Sequence, residues 1–178
     1  MDTTDEDVGY VMDWQHGHPL DFPELLHQHP EARLVLAGAN LPSEYAEKLA
    51  RMAYVDLLGP VADSADLYNR CRVIALPVFV RGGVPLKIVE ALAREKAVVA
   101  LPNSVEGLPV GDGYDLLVRE ESAFAAAISS LLSDGELCRR LGQNGRNTFL
   151  ASWSLTHAEE QLRQLSVLMA NSTEVVRG

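Results

Sequence analysis

Three charged side chains, Lys87, Glu90 and Arg94, follow the glycine pair Gly82-Gly83 and stand three and four residues apart. At those spacings they share one face if the segment is helical. Glycines just ahead of a helix let backbone N–H groups approach an anion closely, and the helix dipole favours negative charge at the same point. A phosphate at the helix mouth, with hydroxyls received by a carboxylate just inside, describes a nucleotide or sugar-phosphate site. Plainer readings compete. A glycine pair also serves an ordinary strand-to-helix turn, and Glu90 can be a solvated residue paired with Lys87 or Arg94.

The surrounding residues set this cluster between two buried strands. Val73–Leu76 reads as a strand running into the Pro/Gly loop, and a helix opens near Pro85 and runs to Arg94. Ala97–Leu101 reads as the next strand, followed by a short loop with Asn103, Glu106 and Gly107. Short apolar runs and amphipathic stretches alternate along most of the chain, as βαβ units and a parallel sheet require. Further strands are predicted at Val8–Met12, Leu34–Ala37, Val55–Leu58 and Leu116–Val118, with helices at Asp21–Gln28, Ser43–Met52 and Asp63–Cys71. Their near-continuous Val, Leu, Ile and Ala suit strands covered on both faces. Ser43 reads as the cap of a helix whose apolar face is Ala46, Leu49, Ala50 and Ala53.

Beyond the sheet the pattern turns helical. Phe124, Ala127, Ile128, Leu131 and Leu132 keep the helical period, and Asp134 can cap the helix that follows. Leu155, Ala158, Leu162, Leu165 and Met169 form a last apolar stripe after Trp153, read as core or interdomain packing. The predicted architecture is one α/β domain over residues 1–178. It has a doubly wound, mostly parallel, Rossmann-like core over 7–119 and C-terminal helices over 120–170, with ligand at the carboxyl ends of the strands.

As a string, the segment resembles the donor-binding, C-terminal half of retaining glycosyltransferases of the GT-B type, the group-one or family-four class. The pieces that carry the resemblance are Gly82-Gly83, Glu90-Ala91-Leu92-Ala93, Lys96-Ala97-Val98-Val99 and Glu106-Gly107-Leu108. RLVLAGA from Arg33, VDLLGPVAD from Val55 and the two closing helices over Ala123–Arg146 extend it over most of the chain. The resemblance implies that Glu90 receives the ribose hydroxyls of a nucleotide lying over Val61. The diphosphate would rest on the amides of Gly82, Gly83 and Val84, and the acceptor hydroxyl would attack from the same face as the leaving phosphate. The donor, a nucleotide-diphosphate sugar, is a substrate; no cofactor or metal is implied, and no catalytic residue is assigned.

Two positions depart from the family pattern. The family's first glutamate, eight positions before the second, is Gly82 here, so amides at Gly82–Val84 would take over part of the donor contact. No Lys or Arg precedes Arg33, where the family carries cations that clamp the diphosphate, which leaves Arg81 and Lys87 as the candidate cations. A complete enzyme of this type needs an N-terminal acceptor-binding domain, and nothing before Asp7 reads as one. The expectation is therefore a fragment, or one subunit of a split enzyme, that binds donor without transferring sugar alone. A non-catalytic nucleotide- or phosphosugar-binding module and an unrelated flavodoxin-like α/β protein are the competing readings.

Composition narrows the partners. A net charge of −10 over 178 residues argues against nucleic acid and against docking to anionic lipid through this domain. With no signal peptide and no apolar run of about 18 residues, the reading is cytoplasmic, with membrane association only through the missing domain. Cys71 and Cys138 read as reduced, partly buried thiols. His27 and His29, two apart on a helix, point about 200° from each other, and His16 and His18 sit in a Gly/Pro loop where a metal would need an extra partner, so neither pair reads as a metal site. Apolar surface left on the final helix would favour weak homodimers.

Overall fold

In the computed structural model, described for residues 7–10, 22–37, 41–61, 64–77 and 85–175, six parallel strands form one sheet. The elements run β1 (Asp7–Tyr10), α1 (Phe22–Gln28), β2 (Arg33–Ala37), α2 (Ser43–Ala50), β3 (Val55–Gly59), α3 (Ser64–Arg70) and β4 (Val73–Leu76). They continue with α4 (Leu86–Ala93), β5 (Ala97–Ala100), α5 (Pro102–Val105), β6 (Leu117–Val118), α6 (Glu121–Ser133), α7 (Gly135–Trp153) and α8 (Leu155–Val175). Spatial order is β3-β2-β1-β4-β5-β6, so the winding reverses between β1 and β4. Ligands of open parallel sheets bind at that reversal, beyond the carboxyl ends of the strands.

The expected Rossmann-like, doubly wound sheet is thus the observed one. Its strands are apolar on both faces because both faces are covered. Val73, Ala75, Ala97 and Val99 face one layer, with Phe124, Ile128 and Leu131 of α6 and Leu25 of α1. Ile74, Leu76, Val98 and Ala100 face the other, with Leu67 and Tyr68 of α3 and Ile88, Ala91 and Leu92 of α4. Burying each large aliphatic or aromatic side chain contributes roughly 1.5–3 kcal/mol. The long helix α7 serves both layers: Cys138 and Leu141 join the first, Phe149 and Trp153 the second.

The C-terminal end of α4 is fixed twice. Glu95 N–H donates to the Leu92 carbonyl at 3.0 Å and Lys96 N–H to the Ala91 carbonyl at 3.1 Å, the paired bonds of a Schellman turn, with Glu95 at φ 59°. Arg146 of α7 also donates to the carbonyl of Ala93. Asp115, 3% exposed, ties the preceding loop to α7 by accepting from Gly111 N–H and from the Thr148 hydroxyl, each at 2.7 Å.

Several expectations are corrected. Ser43 is the first helical residue, not the cap. Pro42 holds the cap position without a side-chain bond, its carbonyl accepting from Tyr45 and Ala46 N–H, because its extended ψ of 139° already aims that carbonyl into the first turn. The stripe predicted for that helix is barely used. α2 has no buried residue, and Ala50 and Ala53 are exposed, since the helix lies beside the edge strand β3. Among the described residues the predicted element ends shift by one or two residues, the predicted ends Met12, Asp21 and Asp63 lie outside them, and the loop after β5 contains the short helix α5. On α8 the exposure of Leu155 (76%), Leu162 (68%) and Leu165 (54%) removes the core reading of the stripe and not the interdomain one, and the Met169 side chain lies outside those described.

Other expectations hold. Asp134 accepts from Leu137 N–H at 2.9 Å and caps α7. Neither Cys71 nor Cys138 is in a disulfide, and both are buried rather than partly so; burial pushes the Cys138 thiol up.

Candidate functional site

α4 follows the central strand β4 and starts at the carboxyl edge of the sheet, beside the reversal. It is amphipathic: Ile88, Ala91 and Leu92 are buried against the sheet, which turns Lys87, Glu90 and Arg94 toward the surface and toward α3. No side chain caps its N-terminus and no acidic residue stands in its first turn, so the first turn itself carries no negative charge to oppose an anion.

Glu90 stands at the seam between α3 and α4. The Ser64 hydroxyl, at the first residue of α3, donates to Glu90 Oε1. Arg94 Nη2 donates to the same oxygen at 3.3 Å and reaches Ser64 Oγ at 3.5 Å. The Tyr68 hydroxyl lies 3.4 Å from Glu90 Oε2 and 3.3 Å from the Lys87 carbonyl oxygen, its one proton shared between them. The Arg94 guanidinium sits over the Tyr68 ring, 5.3 Å from its centroid. Burial, and then the charge of Glu90, push the Tyr68 phenol well above its ordinary range, so it remains a donor.

Glu90 is thereby held by donors from two helices while 36% of its side chain stays exposed. An acceptor-only group fixed in this way and still reachable suits hydroxyl ligands. Of the two pairings the sequence allowed for Glu90, the ion pair is with Arg94. Lys87 is exposed in the first turn of α4, and Val61 is partly buried against the α3/α4 layer. Arg81, Gly82, Gly83 and Val84 lie outside the described residues. Ser64 and Tyr68 escaped sequence reasoning; their fixed offset of four, one helical turn apart before β4, was the available signal.

Among the described residues no group of His, Cys, Asp and Glu could hold a metal ion. His29 instead sits 2.9 Å from the buried Ser129 hydroxyl, while His16 and His18 lie outside the described residues. Among the described residues no helix is long and apolar enough to cross a membrane.

The sequence description of the family Glycosyl transferases group 1 matches residues 20–134, well over half of the chain. The chain belongs to the group 1 glycosyl transferases. Membership removes the reading as an unrelated flavodoxin-like protein. A curated relative, EpsD of Bacillus subtilis strain 168, named as a glycosyltransferase, is 30% identical over 152 residues, which is 82% of this chain and 40% of EpsD. The chain thus spans well under half the length of that curated relative.

Solved structures carry the same fold at lower identity. The C-terminal domain of LpcC, a group 1 family protein of Francisella tularensis, has a TM-score of 0.68 at 19% identity, covering 84% of this chain and 87% of that domain. HepE of Anabaena, solved with UDP and glucose, has a TM-score of 0.72 at 20% identity, covering 93% of this chain and 49% of HepE. The match to that C-terminal domain over nearly its whole length shows that this group 1 chain has the same fold.

Proposed function

We propose that this chain is the nucleotide-sugar-binding half of a glycosyltransferase, with Glu90 receiving the ribose of a nucleoside diphosphate and Lys87 meeting its phosphates. The observation that carries this reading is the Glu90 carboxylate, immobilised by Ser64, Tyr68 and Arg94 yet exposed beside the reversal of the sheet. UDP in complexes of HepE, a relative in fold, supports a nucleotide ligand. The glycine pair Gly82-Gly83, Val84 and Arg81, which the sequence sets between β4 and α4, would contribute amides and a cation to the diphosphate, with Val61 beneath the base. The transfer itself would follow the retaining course, with an acceptor held by a second domain of the kind the longer relatives have room for. In that setting the chain would work in the cytoplasm, in assembly of a polysaccharide.

Isothermal titration with UDP, GDP and ADP tests the reading. At least one should bind, and Glu90→Ala should weaken it roughly tenfold to a hundredfold, as expected for a charge-assisted hydrogen bond of about 1.5–3 kcal/mol. Absence of binding by all three, or an unchanged Kd in a folded Glu90→Ala variant, would remove the site.

A further inference from the structure

An ionised carboxylate offers about four acceptor positions, two on each oxygen. At Glu90 the two on Oε1 are taken by Ser64 and by Arg94. Tyr68 takes one on Oε2, from the buried side of α3. These are all the partners Glu90 has among the described residues, and they leave a single open position, on Oε2. The three donors are not equally fixed. Tyr68 is 1% exposed. Arg94 is anchored over its ring and by its ion pair to Glu90. Ser64 is a short, half-buried side chain at the first residue of its helix, with one rotatable bond to its hydroxyl.

We infer that Ser64, together with Arg94, fills Oε1 so that Glu90 accepts one hydroxyl of a vicinal diol, at Oε2, and not two. Ser64 is thus a specificity-determining residue. It sets how many ribose hydroxyls the carboxylate reads, and hence how the site treats a nucleotide lacking one of them. The inference rests on the proposed nucleotide site. In a deoxy analogue the missing hydroxyl matters to Glu90 only if it is the one that reaches Oε2. The other hydroxyl faces an oxygen already saturated, so its loss removes no bond to Glu90.

The test is the affinity of the chain for the tightest-binding ribonucleoside diphosphate of UDP, GDP and ADP, and for its 2′-deoxy and 3′-deoxy analogues. One analogue should bind about tenfold or more weakly than the parent and the other within about threefold. In Ser64→Ala, which frees a position on Oε1, the parent should bind as well or better, and both analogues should now lose affinity relative to it. Losses within twofold of each other for the two analogues in the unaltered chain would overturn the inference while leaving the nucleotide site standing. So would a discrimination pattern unchanged in folded Ser64→Ala. Failure of every ribonucleoside diphosphate to bind would overturn the nucleotide reading itself, and this inference with it.

Discussion

Gly142 of α7 faces the carbonyl of Glu95 so closely that a Cβ at position 142 would overlap that oxygen and the carbon bearing it. The neighbouring Gly145 repeats the relationship one turn on, where a Cβ would come 2.5 Å from Leu92 Cδ2 and 3.0 Å from the Asp115 carbonyl oxygen. The two glycines let α7 lie directly on the end of α4, where Arg146 closes the contact at Ala93. The helix that carries Glu90 is held from behind by this junction.

Gly142→Ala is therefore expected to destabilise the fold by about 1–3 kcal/mol, despite the 0.5–1 kcal/mol that alanine ordinarily adds within a helix. In a domain of this size that lowers Tm by roughly 2–12 °C. A Tm equal to or above that of the unaltered chain in differential scanning calorimetry would show that α7 can slide off α4 without cost.

Glu95 offers the opposite change. It holds a left-handed conformation, φ 59°, at the position after the cap where helices ending this way usually carry glycine. The strain for a residue with a Cβ is about 1–2 kcal/mol, partly offset by the greater backbone entropy glycine loses on folding. Glu95→Gly should stabilise the chain by about 0.5–1 kcal/mol, read as a rise in the urea midpoint at constant m-value.

Lys87→Met bears on the proposed phosphate contact. Only the phosphates carry charge for Lys87 to meet, so nucleoside diphosphate affinity should fall about threefold to tenfold while nucleoside affinity stays nearly unchanged. Equal losses for both ligands by calorimetry would assign Lys87 to packing.

A fourth expectation concerns acid. The hydrogen bond from Arg33, together with the positive charges of Arg33 and Arg70, holds the Asp56 carboxyl below its ordinary value of 3.8. Arg33 reaches both carboxylate oxygens, at 2.5 and 3.1 Å, and Arg70 adds a third contact at 3.3 Å. A carboxyl depressed in the folded state contributes stability above its unfolded value and loses it as pH falls through its folded one. The stability gap between the unaltered chain and Asp56→Asn should thus be full at neutral pH and close below about pH 4. Urea denaturation at several pH values measures it; a gap that persists at pH 2 would show that charge is not its source.

The sheet and the helix bearing Glu90 were legible in the sequence because both faces of each central strand are apolar and α4 keeps its period. Val73–Leu76 and α6 show how directly such patterns map onto structure. The α2 stripe misled because periodicity reports which residues could be buried, not whether a neighbour arrives to bury them, and α2 lies beside the edge strand. The same reason leaves Leu162 and Leu165 open on α8. At the candidate site, Glu90 was singled out by its place after a glycine pair. Its partners were not, because Ser64 and Tyr68 lie a strand away in sequence and meet Glu90 only once β4 is in the sheet. Glu95's left-handed turn was equally hidden, since no glycine announced it.

The position of β1 bears on how the chain is made. Its register joins Val8 to Leu34 on one side and to Val73 on the other. During synthesis β1 can pair with β2, and β2 with β3, well before β4 has left the ribosome. Until β4 arrives, the side of β1 that will become the middle of the sheet is an open edge of unpaired N–H and C=O groups, the kind of edge that recruits other chains. The half of the sheet that carries Glu90 is therefore the half that removes this hazard. Chains halted before Leu76 should be substrates for chaperones rather than soluble intermediates.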